Sequence, residues 1–485
     1  MGTEQEEVVR TFLRHAHGPQ QSADAMTEIT AAITPQQPAE HAVVVFNQLG
    51  FARSGLVEIS GATAGLPPGA IQQPSADGGT LFLAHVPSLG YATADTAANT
   101  LADDQRATVS VSVDGETVVL ENATLRATIT RVPGWELTSV VDKQSGAETI
   151  AGGAANAFRV YKDDGGLYRF GSEMAGCSLT AEADGGDAAV GDAMVLESGP
   201  LRVRVQTQVV MQGAMYQKEY SLVAGEPFLR MRSTGSAPPG TSVLVGFPVA
   251  GAVDAITFGT PYHWDRKLPA RAGNPTFEAV HDFLIPSFEG VPQGALFHAG
   301  VPAWAIGPDG VLAAALWRDA PQEHCDLYGA SGTDAGVHTV DYAWRVPSGI
   351  QPPEQAQQLR ESLAFQVPLQ AISGTLGGTL PREFSLAAAS PDTAIITAAK
   401  EGTADPDVLI LRVYQPTNAA LAVTVRSAAQ RRVPADWSLD VHGETALETP
   451  LPAAREATLA VSGSADEFSF TAVRALTTIA VGRRP

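Results

Sequence analysis

The spacing of the apolar positions changes near residue 40. Between residues 4 and 33 they recur at helical intervals, at Val8, Phe12, Leu13, Ala16, Ala25, Ile29, Ala32 and Ile33. The dipeptide Gly18-Pro19 interrupts this pattern, which therefore predicts two helical pieces. From His41 onward, short β-branched runs are separated by Gly, Pro, Asn and Asp, and we predict that nearly all of the remaining chain is strand.

Several of these runs alternate between apolar and polar side chains. In LRVRVQTQVVMQ, residues 201–212, the apolar side chains at 201, 203 and 205 are predicted to face a core. The intervening Arg202, Arg204 and Gln206 are predicted to face water. Asp114-Gly115 predicts a hairpin turn. Strands about ten residues apart, without helices between them, favour antiparallel sandwiches.

Two turn-rich segments, near residues 97–106 and 371–382, predict where domains meet. We therefore expect a mainly β protein with antiparallel β-sandwich domains. The predicted division is a helical stub at 1–40, a small β-sandwich at 41–105, a large β-supersandwich at 106–370 and a C-terminal β-sandwich at 371–485.

Composition limits the classes of partner. The 485 residues include 31 Lys plus Arg and 52 Asp plus Glu, so the formal charge is 31 − 52 = −21. This charge repels nucleic acid and anionic lipid, so we expect no nucleic-acid or membrane partner. The N-terminus MGTEQEEVVR is acidic where a secretory signal would be basic, which predicts a cytoplasmic location. Cys177 and Cys325 lie far apart outside any CxxC pattern, and we expect two ordinary buried thiols.

A series of motifs begins with Val45–Gly50 (VFNQLG) and Arg53. The later motifs, in chain order, are VPSLGY (86–91), LENATLRATI (120–129), GWELTSVVDKQSG (134–146), SGPLRVRVQTQ, GTPYHWDRK, VLAAALWRDAP and LILRVYQP. Together they resemble, in order, the β region of glycoside hydrolase family 38, the α-mannosidases, from about residue 43 to the C-terminus. Gln48 and Gln415 depart from the family's Pro and Glu.

The resemblance implies a galactose-mutarotase-like large sandwich, and an N-terminal helix that ends a helical bundle. It also implies a retaining glycosidase, which needs two carboxyl groups about 5–5.5 Å apart. In the family, these carboxylates and most ligands of a zinc ion come from an upstream barrel. We find no counterpart of the barrel positions, and His15 and His17 lack the Asp that follows the bundle ligand. We therefore expect the C-terminal β portion of an α-mannosidase, non-catalytic by itself, with zinc in the missing catalytic domain.

Two stretches, residues 162–168 and 262–266, are predicted to contact sugar at the rim of the family's pocket. Aromatic faces with neighbouring carboxylate, imidazole and guanidinium groups suit a polyol that also has apolar CH faces. The residues predicted to bind substrate are Asp164, Tyr168, Tyr262, His263, Trp264, Asp265 and Arg266. The structural alternatives are a solvated hairpin turn for the first stretch, and for the second an Asp265 that pairs with Arg266 or a neighbour.

Metal binding is a further alternative for the second stretch. In an extended strand His263 and Asp265 point to one face and could supply two ligands, as could His324 and Asp326. The remaining ligands cannot be found in the sequence. His298 is predicted to be a hydrogen-bonded core histidine.

Two other functions stay open: a stand-alone carbohydrate-binding protein that uses Tyr262, Trp264 and Tyr168, and an autonomous carbohydrate-active enzyme that uses His263 and Asp265 with a bound ion. No Gly-rich phosphate loop and no GxSxG motif is found. The expected partners are an α-mannoside or related glycan and a catalytic barrel domain or subunit, and a homo-oligomer is left open.

Overall fold

A computed structural model describes most of the chain before residue 428 and two short stretches after it. The described residues are 19–61, 66–94, 101–102, 105–150, 152, 154–163, 179–183, 189–261, 263–267, 277–306, 311–319, 336–351, 354–401, 409–414, 416, 420–427, 467–473 and 476–481. The chain forms two compact units. Unit 1 comprises Met1–Thr100 and Pro352–Pro485, and unit 2 comprises Leu101–Gln351.

The described secondary structure is almost entirely β. Unit 1 begins with α1 (Pro19–Ala32), β1 (His41–Asn47), β2 (Arg53–Ser60), β3 (Gln73–Pro74), β4 (Gly79–Val86) and β5 (Gly90–Thr93). Unit 2 contains β6 (Thr108–Val111), β7 (Thr117–Glu121), β8 (Leu125–Thr130), β9 (Glu136–Asp142), β10 (Ala157–Asp163), β11 (Leu179–Ala183), β12 (Ala189–Val190), β13 (Met194–Ser198), β14 (Arg202–Met211), β15 (Ala214–Val223), β16 (Phe228–Gly235), β17 (Thr241–Pro248), β18 (Ala255–Thr260), β19 (His263–Lys267), β20 (Phe277–Ala279), β21 (His281–Phe288), β22 (Val291–Pro292), β23 (Ala295–Ala299), β24 (Ala303–Ile306), β25 (Val311–Asp319) and β26 (His338–Arg345). Unit 1 resumes with α2 (Glu354–Gln366), β27 (Gln370–Thr375), β28 (Glu383–Ser385), β29 (Ala387–Ser390), β30 (Ile395–Glu401), β31 (Leu409–Tyr414), β32 (Ala420–Ser427), β33 (Glu467–Val473) and β34 (Leu476–Val481).

Unit 2 is a large antiparallel sandwich. Among the described residues, an eleven-stranded sheet runs in the order β12-β14-β15-β16-β26-β23-β21-β18-β19, with β13 beside β14 and β22 beside β21. A six-stranded sheet runs β11-β10-β17-β25-β24-β20, and a four-stranded sheet runs β6-β7-β8-β9. One apolar core contains side chains from all three sheets, including Trp344, Phe247 and Leu120. The mainly β prediction and the antiparallel supersandwich are therefore confirmed.

The predicted alternation holds in β14, with one informative exception. Val203 and Val205 are buried and Gln206 is half-buried, but Arg204 is buried too, with 7% of its surface exposed. Its guanidinium lies 3.1 Å from Glu197 and 3.0 Å from Glu219. A long side chain on the outer face is thus covered together with its ion partners, so the prediction that Arg204 faces water is wrong.

Unit 1 is organised around β1, which is buried on both faces. Val43 and Val45 pack with β2 and β4, whereas Val44 and Phe46 pack with α1 and β28. A strand covered on both faces is typically a continuous apolar run, as in VVVF. β1 lies between β27 and β5, and β5 pairs with β28, so one four-stranded sheet joins strands before residue 94 to strands after residue 369. The four-domain division stays a prediction.

The helices agree only in part with the sequence pattern. α1 confirms the second predicted helical piece and begins at Pro19, where a missing N–H costs nothing. The first piece lies outside the described residues. The prediction that nearly all of the chain after residue 41 is strand missed α2, which buries Leu359 and Phe365 on one side. No described helix has the length and apolarity to span a bilayer. The expected cytoplasmic location stays a prediction.

Candidate functional site

The second predicted sugar-contact stretch forms the last strand of the eleven-stranded sheet. Among the described residues, β19 pairs with β18 and has no neighbour on its other edge. His263, Asp265 and Arg266 are exposed and Trp264 is half-buried. Tyr262 lies outside the described residues. An edge strand with exposed polar groups and one aromatic side chain is accessible to a ligand.

The side chains of β19 alternate between the two faces of the sheet. Asp265 lies opposite Phe258, a core residue, so His263 and Asp265 belong to the face that continues from the sandwich core. Trp264 and Arg266 belong to the outer face. The imidazole and carboxylate of the HxD pair are therefore on one face, and the indole and guanidinium are on the other.

Local contacts hold this strand in place. The rings of His263 and Trp264 have centroids 6.0 Å apart and an interplanar angle of 21°. The backbone N–H of Arg266 donates to Asp265 Oδ1 at 2.7 Å. Lys267 forms an ion pair with Glu278 of β20, so one salt bridge links the last strands of the two large sheets. This link fixes the end of β19.

The first predicted stretch begins where β10 ends. Asp163 is fully buried, its Oδ2 accepts hydrogen bonds from Arg318 Nε at 2.5 Å and from Ser242 Oγ at 2.6 Å, and Arg318 lies on β25. These bonds connect three adjacent strands of the six-stranded sheet. Asp164 and Tyr168 lie outside the described residues, so their sugar contacts stay predictions.

The described residues offer few candidate metal ligands that lie close together. Those residues contain no group of three or more His, Cys, Asp or Glu side chains placed to hold an ion. The His263–Asp265 pair by itself does not fit the four-ligand site that zinc requires. His324, Asp326 and both cysteines lie outside the described residues, and their predicted roles stay untested.

His298 is a core histidine without the expected hydrogen bonds. It is 4% exposed, and neither ring nitrogen has a partner among the described residues. Burial, with a smaller contribution from His281, lowers the pKa of His298 to about 4. The predicted burial is correct, whereas the predicted hydrogen bonding is wrong.

A buried lysine is the most unusual polar group in unit 2, and our sequence predictions did not include it. Lys218 on β15 is 1% exposed and donates from Nζ to the carbonyls of Gly134 at 2.8 Å and Asn156 at 2.7 Å. Its ammonium also lies 4.3 Å from the centroid of the Phe158 ring. Burial lowers the pKa of Lys218 to about 8, against the attraction of the buried Glu136. A signal was present, because Lys218 occupies an inward position of the alternation between Tyr216 and Tyr220.

Two tyrosines extend this buried polar cluster. Tyr220 OH donates to the carbonyl of Trp135 at 2.5 Å, and Tyr342 OH donates to Asn156 Oδ1 at 2.6 Å. Burial raises the pKa of both hydroxyls. Trp135 and Asn156 have left-handed backbones, with φ of 53° and 57°. The cluster is sealed from solvent and holds two strained turns, so its geometry indicates a structural role.

The first motif of the resemblance fixes a turn in unit 1. The buried Asn47 donates from Nδ2 to the carbonyls of Phe51 and Pro87, each at 2.8 Å. Its Oδ1 accepts from Arg53 Nε at 2.9 Å, and Arg53 Nη1 donates to the Val367 carbonyl at 2.6 Å. Asn47 thus ties the chain after β1 to the VPSLGY motif, and Arg53 ties it to the end of α2.

Two later motifs meet in unit 2. Asn122 donates to the carbonyls of Val223 and Glu226 and accepts from the backbone N–H of Leu125. Asp142, of the DKQSG stretch, accepts from the backbone N–H of Ser348 at 2.8 Å. The matched residues therefore fix loops and strand ends.

Comparison with solved structures gives a consistent answer about the fold. An α-mannosidase from Enterococcus faecalis V583 is similar with a TM-score of 0.64 at 13% identity, over 84% of this chain and 55% of that chain. A glycosyl hydrolase family 38 protein from Enterococcus faecalis is similar with a TM-score of 0.63 at 13% identity, over 84% of this chain and 56% of that chain. The fold expected from the sequence resemblance is therefore confirmed, and the chain spans just over half the length of these structures.

Weaker comparisons add little. A galactose mutarotase-like protein from Lactobacillus casei ATCC 334 has a TM-score of 0.29 at 14% identity, over 47% of this chain and 99% of that chain. This TM-score is too low to support a structural argument. No family model and no curated protein matches the sequence.

Proposed function

We propose that this chain is the β portion of a retaining α-mannosidase of glycoside hydrolase family 38, and that it packs against a catalytic barrel and forms part of the rim of the sugar pocket. The observation that carries the proposal is the fold similarity to α-mannosidase structures over 84% of the chain. The order of the sequence motifs supports it independently.

The positions of those motifs support a scaffolding role. Asn47, Asn122 and Asp142 are buried, and each satisfies several backbone groups at a turn. Residues of this kind fix the loops of a sandwich. In this proposal the chemistry belongs to the barrel, with its two carboxylates and its zinc ion.

The rim role is assigned to β19 and to the loop after β10. On this edge strand, His263 and Asp265 provide an exposed imidazole and carboxylate on one face, and the half-buried Trp264 and the exposed Arg266 provide an indole and a guanidinium on the other. On the outer face the Trp264 ring can stack on the apolar face of a sugar while Arg266 donates hydrogen bonds to its hydroxyls. Asp164, Tyr168 and Tyr262 complete the proposed set. The proposed ligand is an α-mannoside or related glycan.

Hydrolysis of an aryl α-mannoside by the purified 485-residue chain, with and without added zinc, tests the proposal. We expect no turnover above background, and restored turnover together with a stable complex on gel filtration when the matching catalytic barrel is added. Turnover by the chain alone would contradict the proposal. Turnover that disappears in Asp265→Asn would place a catalytic site on β19 instead.

One observation favours a second function, a stand-alone carbohydrate-binding protein. The half-buried Trp264 and the exposed Arg266 lie on the same outer face of β19 in unit 2 itself. Calorimetric titration with α-mannosides and glucans distinguishes the two functions. Stand-alone binding predicts heat that disappears in Trp264→Ala and persists in Phe288→Ala, a control at an exposed aromatic residue on β21. No binding by the wild-type chain would reject this second function.

A further inference from the structure

Strand β6 is the free edge of the four-stranded sheet in unit 2. Val111 on this strand is 43% exposed, Thr108 and Ser110 are exposed, and Val109 is half-buried. Among the described residues, no strand pairs with the edge of β6 that faces away from β7. The stretch TVSV has strong β propensity and contains no charge, proline or glycine.

Some of the other strands that end sheets among the described residues carry a charged residue or proline. β19 is charged, β3 contains Pro74, and β28 and β20 contain Glu383 and Glu278. Charged side chains and proline are the usual means of preventing edge-to-edge pairing. β6 carries neither, as is also true of β12, β27, β29 and β34, so its edge has no such protection in a chain with a net charge of −21.

The hydrogen-bond pattern shows which backbone groups face outward. The N–H of Ser112 donates to the Thr117 carbonyl at 2.8 Å. By the alternation of an antiparallel pair, the backbone groups of residues 108, 110 and 112 are therefore the ones that face β7. The N–H and C=O groups of Val109 and Val111 consequently point away from the sheet. Ala107 precedes Val109 by two residues, so its N–H points to the same edge, and this N–H donates to the Pro200 carbonyl at 2.9 Å.

The sequence of β6 is self-complementary under a two-fold axis. With the axis at Ser110, antiparallel pairing places Val109 of each copy opposite Val111 of the other. The four outward N–H and four C=O groups then form about four hydrogen bonds, by the alternation of an antiparallel ladder. The valines meet on one face and the serines on the other, with no like charges opposed. A second copy of this chain is the partner that this edge fits.

We infer that the chain self-associates through β6, so that two four-stranded sheets join into a continuous eight-stranded sheet across a two-fold axis. Such an interface is isologous and closes at two copies. A contact between two four-residue strands is small beside the ~1,200 Å² at the lower limit of stable complexes, so we expect a weak dimer with a dissociation constant in the micromolar range. The inference is independent of the proposed function.

Net charge makes the dimer sensitive to salt. Two chains of charge −21 repel each other at low ionic strength, and the screening length falls from about 10 Å at 0.1 M salt to about 3 Å at 1 M. We therefore expect dimerisation to strengthen several-fold between 50 mM and 500 mM NaCl. An interface held by ion pairs would show the opposite dependence.

Sedimentation velocity from 1 to 500 μM tests the inference with three variants. Val111→Pro removes an outward N–H that has no hydrogen-bond acceptor among the described residues, and proline is tolerated at that position of an edge strand. Val111→Lys introduces like charges across the axis. Val337→Lys, at a 71% exposed valine beyond β6, is the control with the same charge change. We expect the wild-type chain and Val337→Lys to dimerise, and both Val111 variants to raise the dissociation constant at least tenfold.

Amide hydrogen exchange on the wild-type chain provides a measurement that does not depend on how the variants fold. The amides of Val109 and Val111 should gain protection as protein concentration rises, while the amide of Ser110, already bonded to β7, should change little. A wild-type chain that stays monomeric up to 500 μM would overturn the inference. Dimerisation that both Val111 variants retain would also overturn it.

Discussion

The stability of unit 2 should depend on pH through the buried Lys218, and replacement of this residue by Met should remove that dependence. The ammonium of Lys218 is fully buried between two carbonyls, and its pKa falls from 10.5 to about 8. Because the folded-state pKa is the lower one, the unfolded state binds more protons between pH 8 and pH 10.5. The free energy of unfolding of the wild type therefore rises with pH in that window.

The magnitude follows from the two pKa values. At pH 7 the cost of keeping this charge buried is about 3 kcal/mol, at 1.36 kcal/mol per tenfold change. By pH 9.5 the folded lysine is neutral and about 2 kcal/mol of this cost is removed. The free energy of unfolding of the wild type minus that of Lys218→Met should increase by about 2 kcal/mol from pH 7 to pH 9.5. It should stay constant from pH 6 to pH 7, where the lysine is charged in both states.

Urea unfolding followed by tryptophan fluorescence measures this difference in unit 2, because five of the six tryptophans lie between residues 101 and 351. The upper limit of pH 9.5 avoids the ionisation of Tyr220 and Tyr342 in the unfolded chain, which lowers stability above about pH 10 because burial raises the pKa of both hydroxyls. Lys218→Gln gives a second neutral variant if Met packs poorly. A difference that changes by less than about 0.5 kcal/mol between pH 7 and pH 9.5 would mean that burial does not lower the pKa of Lys218.

Three other substitutions test the structural arguments by equilibrium unfolding. Glu197→Gln leaves the buried guanidinium of Arg204 with one fewer carboxylate, and should destabilise unit 2 by about 3 kcal/mol, whereas a loss under about 1 kcal/mol would mean that the ion pair is solvated. Asn122→Ala removes four or more hydrogen bonds at a buried turn and should cost about 3 kcal/mol, with wild-type stability contradicting its turn-fixing role. Gly90→Ala places a Cβ 2.0 Å from the Phe384 carbonyl oxygen and should lower the calorimetric melting temperature of unit 1; an unchanged transition would disprove the close approach.

The sequence predicted strand type and pairing sense well, because alternation depends on local spacing. It failed where long-range partners decide burial. Arg204 was predicted to be exposed, and is buried because Glu197 and Glu219 lie beside it on neighbouring strands. The helix α2 was missed because its 13 residues are largely polar and bury only one narrow side.

In the candidate site, too, local spacing was predictable from the sequence and long-range neighbours were not. Alternation correctly places His263 and Asp265 on one face, but nothing in the sequence shows that their strand ends a sheet. The family motifs were recognisable because turns require particular residues such as Asn47, whose amide satisfies three backbone groups. Lys218 could have been identified from its inward position, although its carbonyl partners could not.

The pairing of β1 with β27 has a consequence for synthesis of the protein. His41 and Thr375, which face each other in this pair, are 334 residues apart in the chain. At a translation rate of about 5–20 residues per second, β1 leaves the ribosome about 20 to 70 s before its partner. During this interval β2 and β4 can cover one face of VVVF, but one edge of the strand remains unpaired. The nascent chain therefore carries an aggregation-prone strand while the intervening residues are made, and unit 2 can complete its fold before unit 1 closes.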